Sequence, residues 1–234
     1  MPLDMGGAAL RDRLEQGAVA LGLSLGASQM DALLAYLALI ERWNRVYNLT
    51  ALRQPEEMLT HHLLDSLSVV PALMRHLDSV GLASGARLLD VGSGAGLPGV
   101  VLAVVLPQLQ VTCIDTVGKK ASFIQQVAVE LGLRQLRSQH ARVEVWAGHA
   151  GESPFDIVTS RAFSSLSDFV ALTRRHLASQ GVWMAMKGKR PSDEEQGLPA
   201  GVGVFHVEQL HVPGLHAERC LLWMRPRGAE NCTA

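Results

Sequence analysis

The residues with the most chemistry in them lie between positions 88 and 99, where Leu88-Leu89-Asp90-Val91 runs into Gly92-Ser93-Gly94-Ala95-Gly96-Leu97-Pro98-Gly99. An apolar strand that ends in an acid and opens into glycines before a helix brings main chain close to a ligand, because glycine has no Cβ to hold it off. Two registers fit. From Gly94 the spacing is G-x-G-x-x-G, which seats a pyrophosphate on a helix N-terminus and would serve a dinucleotide-dependent oxidoreductase. That register starts well past the strand and puts Pro98, which has no N–H, in the phosphate-facing turn. From Gly92 the pattern is acid-x-G-x-G-x-G with Asp90 at the strand's end, and a carboxylate there repels pyrophosphate and attracts a cation. S-adenosylmethionine carries a sulfonium and an ammonium and no phosphate, so Asp90, Gly92, Gly94 and Gly96 suit it. A glycine-rich turn that holds nothing is the bland alternative.

The next acids extend the nucleoside reading. After a short helix over 98–106, stopped by Pro107, residues 109–115 alternate as a strand ending in Asp115. Asp115 falls about twenty residues past the glycines, where a ribose-binding carboxylate belongs in such a unit. It also stands where it would cap the following helix, 118–131. Ala141-Arg142-Val143-Glu144-Val145 reads as a third strand on the adenine side, with Glu144 either a ligand contact or a solvated residue. A fourth strand, 155–160, runs into Arg161 at the edge where open α/β sheets bind ligands. Arg161 suits a carboxylate of the cofactor's methionine portion, an RNA phosphate, or an ion pair with Asp90 or Asp115. No Asn-Pro-Pro-Tyr sequence follows that strand, which argues against methylation of an exocyclic amine.

Other constellations are weaker. Cys113, Cys220 and Cys232 lack metal-ligand spacing and no Pro-Cys pair offers a nucleophile, so the thiols indicate a reducing compartment without a disulfide framework. His61 and Asp65 share a helical face beside His62, but no further ligand follows at a zincin spacing, and no metal is expected. Lys119 and Lys120, Arg134, Arg137 and Arg142, and Lys187, Lys189 and Arg190 form basic clusters. Lys119, Lys120, Lys187, Lys189 and Arg190 fall near strand ends and border one mouth of the sheet as an RNA surface, or form merely solvated faces. In Trp43-Asn44-Arg45-Val46-Tyr47-Asn48-Leu49, Arg45 and Tyr47 can meet RNA by charge and stacking, or the segment simply packs its helix.

These groups need a scaffold. The chain has 234 residues, 21 basic and 22 acidic, so it can bury a sizeable core and has no global field drawing it to a polyanion. Its start carries no basic flank with a long apolar run, and eighteen apolar residues nowhere run together, so a cytoplasmic protein with no membrane contact is expected. Helical periodicity covers 8–23 and 28–47, with Ser28 as N-cap, and a third helix opens at Pro55 and runs towards Leu77. Strands near 87–91, 109–115, 141–145, 155–160 and 181–187 alternate with helices. Residues 202–212 and 219–224 read as a hairpin turned by Pro213-Gly214. The fold class expected is α/β, a class I (Rossmann-like) methyltransferase: a mostly parallel sheet with a C-terminal antiparallel hairpin over 81–234, preceded by a helical extension over 1–80 within one compact unit.

Trp43-Asn44-Arg45-Val46-Tyr47-Asn48-Leu49-Thr50, His62-Leu63-Leu64-Asp65-Ser66-Leu67, Asp90 to Gly99, Ser160-Arg161-Ala162-Phe163 and Met186-Lys187-Gly188, taken in order, resemble the signatures of the RsmG/GidB family over residues 40–190. The resemblance implies a bacterial methyltransferase that uses S-adenosylmethionine to modify guanine N7 in the 530 loop of 16S rRNA, on the RNA or on a small-subunit particle. Carried over by position, it implies cofactor contacts at Gly92, Leu97, Val143, Glu144 and Arg161. Guanine N7 has an in-plane lone pair and no proton to lose, so the implied mechanism is positioning, with no catalytic acid or base. A non-catalytic ribosome-assembly factor on the same fold stays as a further class.

Overall fold

A computed structural model describes residues 5–148, 151–161 and 163–228. Its centre is a seven-stranded sheet in the order β3-β2-β1-β4-β5-β7-β6. The strands are β1 (Arg87–Val91), β2 (Gln110–Asp115), β3 (Leu136–His140), β4 (Phe155–Ser160), β5 (Leu177–Lys187), β6 (Val202–Leu210) and β7 (Arg219–Pro226). The first five are parallel, whereas β7 runs antiparallel between β5 and β6. Strand order reverses between β1 and β4, and such a switch point opens a crevice at the strands' carboxyl ends.

Alternation along each strand splits the core in two, since successive side chains point to opposite faces. Leu88, Cys113, Ile157, Met184 and Leu221 face one cluster, which continues without a break through the N-terminal helices from Leu14 onward. Leu89, Ile114, Val158, Ala185 and Leu222 face the other. The first face carries α1 (Met5–Ala20), α2 (Ala27–Tyr47), α5 (Val70–Ser79), α6 (Gly99–Val105) and α7 (Gly118–Glu130). The second face is covered by α8 (Leu166–Thr173) and by Trp146, stacked on His176 at 5.2 Å.

Several local expectations are corrected. The third strand is 136–140, and residues 141–145 are a turn in which Val145 and Trp146 N–H both bond the Arg142 carbonyl. Ala-Arg-Val-Glu-Val has the β-branched alternation of a strand, but Leu136 to His140 already pair with all of Val111 to Asp115, so β2 has no partner left to offer. The helix opening at Pro55 is broken into α3 (Pro55–Met58), a π-helical turn (Leu59–Leu64) and α4 (Asp65–Leu67), after which α5 restarts with Pro71 in its first turn. The N-cap of α2 is Gly26, whose N–H bonds Gln29 Oε1 at 2.9 Å, not Ser28. The C-terminal hairpin has a longer connection than Pro213-Gly214 alone, since β6 ends at Leu210 and β7 begins at Arg219. A short helix, α9 (Ser192–Gln196), follows β5.

Candidate active site

The glycine loop after β1 is built in two halves. Gly92 and Gly94 have φ of +67° and +60°, and a Cβ at either would meet nothing within 4 Å, so this side of the loop is open to a ligand. The other half is packed. A Cβ on Gly96 would crowd Val100, and one on Gly99 would lie 2.8 Å from Asp90 Oδ2. From the N-terminal segment, the buried Tyr36 hydroxyl donates to the Ala95 carbonyl at 2.6 Å, so α2 fixes the loop from behind. Leu97 is buried in the same core as that tyrosine.

The two acids behave differently. Asp90 is fully buried beneath the loop, where its Oδ2 accepts the Gly99 N–H at 2.8 Å and its Oδ1 has no hydrogen-bond partner among the described residues. Burial raises its pKa from 3.8 to about 7, against the lowering effects of the Gly99 bond and Arg161. Asp90 thus caps the start of α6 from within and does not line an open cavity. Asp115 lies at the surface of one: Oδ2 accepts Gly94 N–H at 2.9 Å and Oδ1 accepts Val117 N–H at 2.8 Å. It does not cap α7, whose N-cap is Val117.

That cavity, of about 430 Å³, brings together Gly92, Asp115, Lys120, Val143, Glu144 and Phe163. The turn over 141–145 is held there by His176, whose Nε2 bonds the Val143 carbonyl at 2.8 Å, and by Arg175, which donates to the Glu144 carbonyl at 3.1 Å. The Glu144 carboxylate is held below the usual glutamate pKa first by its own backbone N–H and then by Arg142, whose Nε donates to it at 2.6 Å. Arg161 lies elsewhere and pairs with neither Asp90 nor Asp115. Its Nη1 donates to the His61 carbonyl at 3.0 Å and to Asp65 Oδ2 at 3.2 Å, on the wall of a second cavity of about 420 Å³. Phe163, two residues further along, lines the first cavity; Ala162, between them, lies outside the described residues.

The basic clusters are partly neutralised. Lys187 is paired with Glu194 at 2.9 Å and Arg190 with Glu195 at 2.7 Å, both acids on α9, and Arg45 with Glu41 at 2.5 Å. Lys119 and Lys189 are exposed. Tyr47 is exposed against Trp43, with ring centroids 5.1 Å apart, while Trp43 packs edge-on to Phe123. Asn44 is structural: it accepts the Thr50 N–H at 2.9 Å and donates to the Leu52 carbonyl at 2.8 Å, shaping the loop that carries Thr50 to His62 Nε2 at 3.0 Å. Burial, followed by Arg161, lowers the His62 pKa to about 4, so its ring is neutral at physiological pH. His61 and Asp65 belong to this second cavity, and among the described residues no group of three or more His, Cys, Asp or Glu is placed to hold a metal. No described helix is long and apolar enough to cross a membrane.

Sequence reasoning missed Tyr36, Arg219 and the part Asp65 plays. Arg219 Nε donates to Asp65 Oδ1 at 2.7 Å across 154 positions of chain, a separation at which no local pattern exists. Tyr36 reads as one more apolar position of α2, and only its hydroxyl distinguishes it.

Residues 29–222 match the family model GidB, described as rRNA small subunit methyltransferase G. The chain is 61% identical over 217 residues to the ribosomal RNA small subunit methyltransferase G of Acidovorax sp., covering 91% of this chain and 94% of that protein. It is 60% identical over 220 residues to the protein of the same name from Methylibium petroleiphilum, covering 94% and 96%. Among solved structures, TrmN from Thermus thermophilus superposes with a TM-score of 0.54 at 19% identity, over 72% of this chain and 53% of that one, a likeness of fold.

Proposed function

Because the chain belongs to the GidB family, rRNA small subunit methyltransferase G, we propose that it transfers a methyl group from S-adenosylmethionine to N7 of a guanosine in the 530 loop of 16S rRNA. The observation that carries the cofactor reading is the use of both acids. Asp90 occupies the Gly99 N–H at the start of α6, and Asp115 occupies the Gly94 N–H. A pyrophosphate would find these donors taken and the Asp115 carboxylate facing it, which removes support for the Gly94 register and a dinucleotide. S-adenosylmethionine fits. Asp115 has lone-pair sites left after its two backbone bonds, suited to ribose hydroxyls, and the open side of Gly92 and Gly94 admits close approach of a nucleoside. Val143, Glu144 and Phe163 wall the place for adenine, while Gly96, Leu97 and Asp90 hold the loop's form from below.

When bound, the cofactor supplies an electrophilic methyl group. The chain's own residues then have to bind, orient and exclude water. Guanine N7 attacks without losing a proton, so no general base is required, in keeping with a neutral His62 already bonded to Thr50. Rate comes from holding acceptor and donor in line. RNA is held by charge at Lys119 and Lys189, exposed and unpaired among the described residues, by Lys120, which lines the first cavity, and by Arg45 and Tyr47 on α2, with Lys187 and Arg190 balanced by α9. A substrate of this kind places the work in the cytoplasm. The test is borohydride and aniline cleavage of 16S rRNA from cells with and without the gene. We expect N7-methylguanosine at one site in the 530 loop only when the gene is present; cleavage in both strains, or in neither, overturns the reading and favours an assembly role without methyl transfer.

A further inference from the structure

The second cavity contains a built cationic site. Asp65 is 2% exposed, and its two oxygens are divided between two guanidiniums: Oδ2 to Arg161 Nη1 at 3.2 Å and Oδ1 to Arg219 Nε at 2.7 Å. Two positive groups share one negative group, so the trio keeps an excess positive charge. Lys187, on the same wall, is neutralised by Glu194 and adds none. A guanidinium has five N–H donors in a rigid fork. Arg161 spends only Nη1, on Asp65 and the His61 carbonyl, and Arg219 spends Nε on Asp65 and Nη1 on the Glu218 carbonyl. Arg161 Nε and Nη2 and Arg219 Nη2 bond nothing among the described residues, although both side chains are about three-quarters covered at 27% and 24% exposure. The carboxylate holds both forks on the wall of one cavity of about 420 Å³ and leaves the other donors uncommitted among the described residues. Guanidinium donors held in this way are pre-organised for an oxyanion.

We propose that Arg219 and Asp65 form a cradle for a backbone phosphate of the RNA next to the nucleotide being methylated, with Asp65 as the positioning residue and Arg219 as the phosphate ligand, while Arg161 across the same carboxylate keeps the cofactor contact that the family resemblance implies. The proposal rests on the rRNA reading above. The shared chemistry is an oxyanion, and the alternative source is the carboxylate of the cofactor. Position favours the phosphate for Arg219. It comes from β7 and lines this cavity, and it is not among the residues that line the one holding Gly92 and Asp115.

The experiment uses the full chain as wild type, Arg219→Ala and Arg219→Lys, with Arg219→Gln, which keeps a donor for Asp65, as the variant to read if Arg219→Ala fails to fold. S-adenosylmethionine affinity is measured by calorimetry. Methyl transfer to small ribosomal subunits from cells lacking the gene, and binding to those subunits across a salt series, are measured in parallel. For Arg219→Ala we expect cofactor affinity within twofold of wild type, a KM for subunits raised about tenfold, and a log-affinity against log-salt slope shallower by about 0.7–0.9, the loss of one phosphate contact. Arg219→Lys keeps the slope and loses part of the affinity, because it retains the charge without the fork. A cofactor affinity that falls in step with RNA affinity assigns the cradle to the carboxylate and overturns the proposal. An unchanged salt slope does so too, by reducing Arg219 to a structural partner of Asp65. A wild-type enzyme that methylates no subunit RNA overturns the underlying function instead.

Discussion

Replacing Asp90 by asparagine tests how the glycine loop is held. The carboxyl is wholly buried, and burial raises its pKa from 3.8 to about 7. A native state that holds a proton the unfolded chain has released loses stability as pH rises. The sign is therefore opposite to that of a salt-bridged acid: stability is greatest below about pH 4, falls through the window between 3.8 and about 7, and levels off above it. At 1.36 kcal/mol per pKa unit the whole shift is worth about 4 kcal/mol, of which about 2–3 kcal/mol falls between pH 5 and pH 8. Asparagine keeps an oxygen for the Gly99 N–H and does not titrate, at a cost of about 1–3 kcal/mol for an amide N–H₂ placed where Oδ1 has no hydrogen-bond partner among the described residues. Urea denaturation of the cofactor-free protein at pH 5 and at pH 8 measures both terms. Asp90→Asn should be the less stable protein at pH 5 and should gain about 2–3 kcal/mol on wild type by pH 8. Parallel pH profiles for the two proteins would mean that the carboxylate is ionised throughout, and that an unobserved positive partner, not the Gly99 N–H alone, stabilises it.

Two further outcomes follow from the loop's construction. Tyr36→Phe removes the 2.6 Å bond to the Ala95 carbonyl inside the core and should cost about 1–3 kcal/mol in urea unfolding. Cofactor affinity measured by calorimetry should weaken at the same time, and a loss of stability with affinity unchanged would show that α2 braces the sheet and not the loop. The glycines should separate by environment: Gly94→Ala carries only the strain of φ +60°, about 1–2 kcal/mol, whereas Gly99→Ala must displace Cys113 or Asp90 and should cost about 1–3 kcal/mol more, read from melting temperatures of the two variants.

Much of this protein was legible in local pattern. The acid and glycines at 90–99, the strand ending in Asp115 and the strand running into Arg161 each declare themselves within a dozen residues, because the turn chemistry of glycine and the period-two burial of a strand are local constraints. The parallel sheet and its antiparallel end followed from the order of those elements. What local pattern could not decide was competition between neighbours for one partner. Residues 141–145 have the better strand sequence, yet 136–140 took the edge of β2, since pairing there closes the shorter loop after α7. Nor could it assign charges. Arg161 chose Asp65 over Asp90 and Asp115, and Arg219 joined it from the far end of the chain. Asp90 turned away from the cavity to cap α6. Charged groups pair with whatever the fold brings within a few ångströms, so the side chains that do the chemistry were visible as residue types, and their partners became fixed only when the sheet had closed around them.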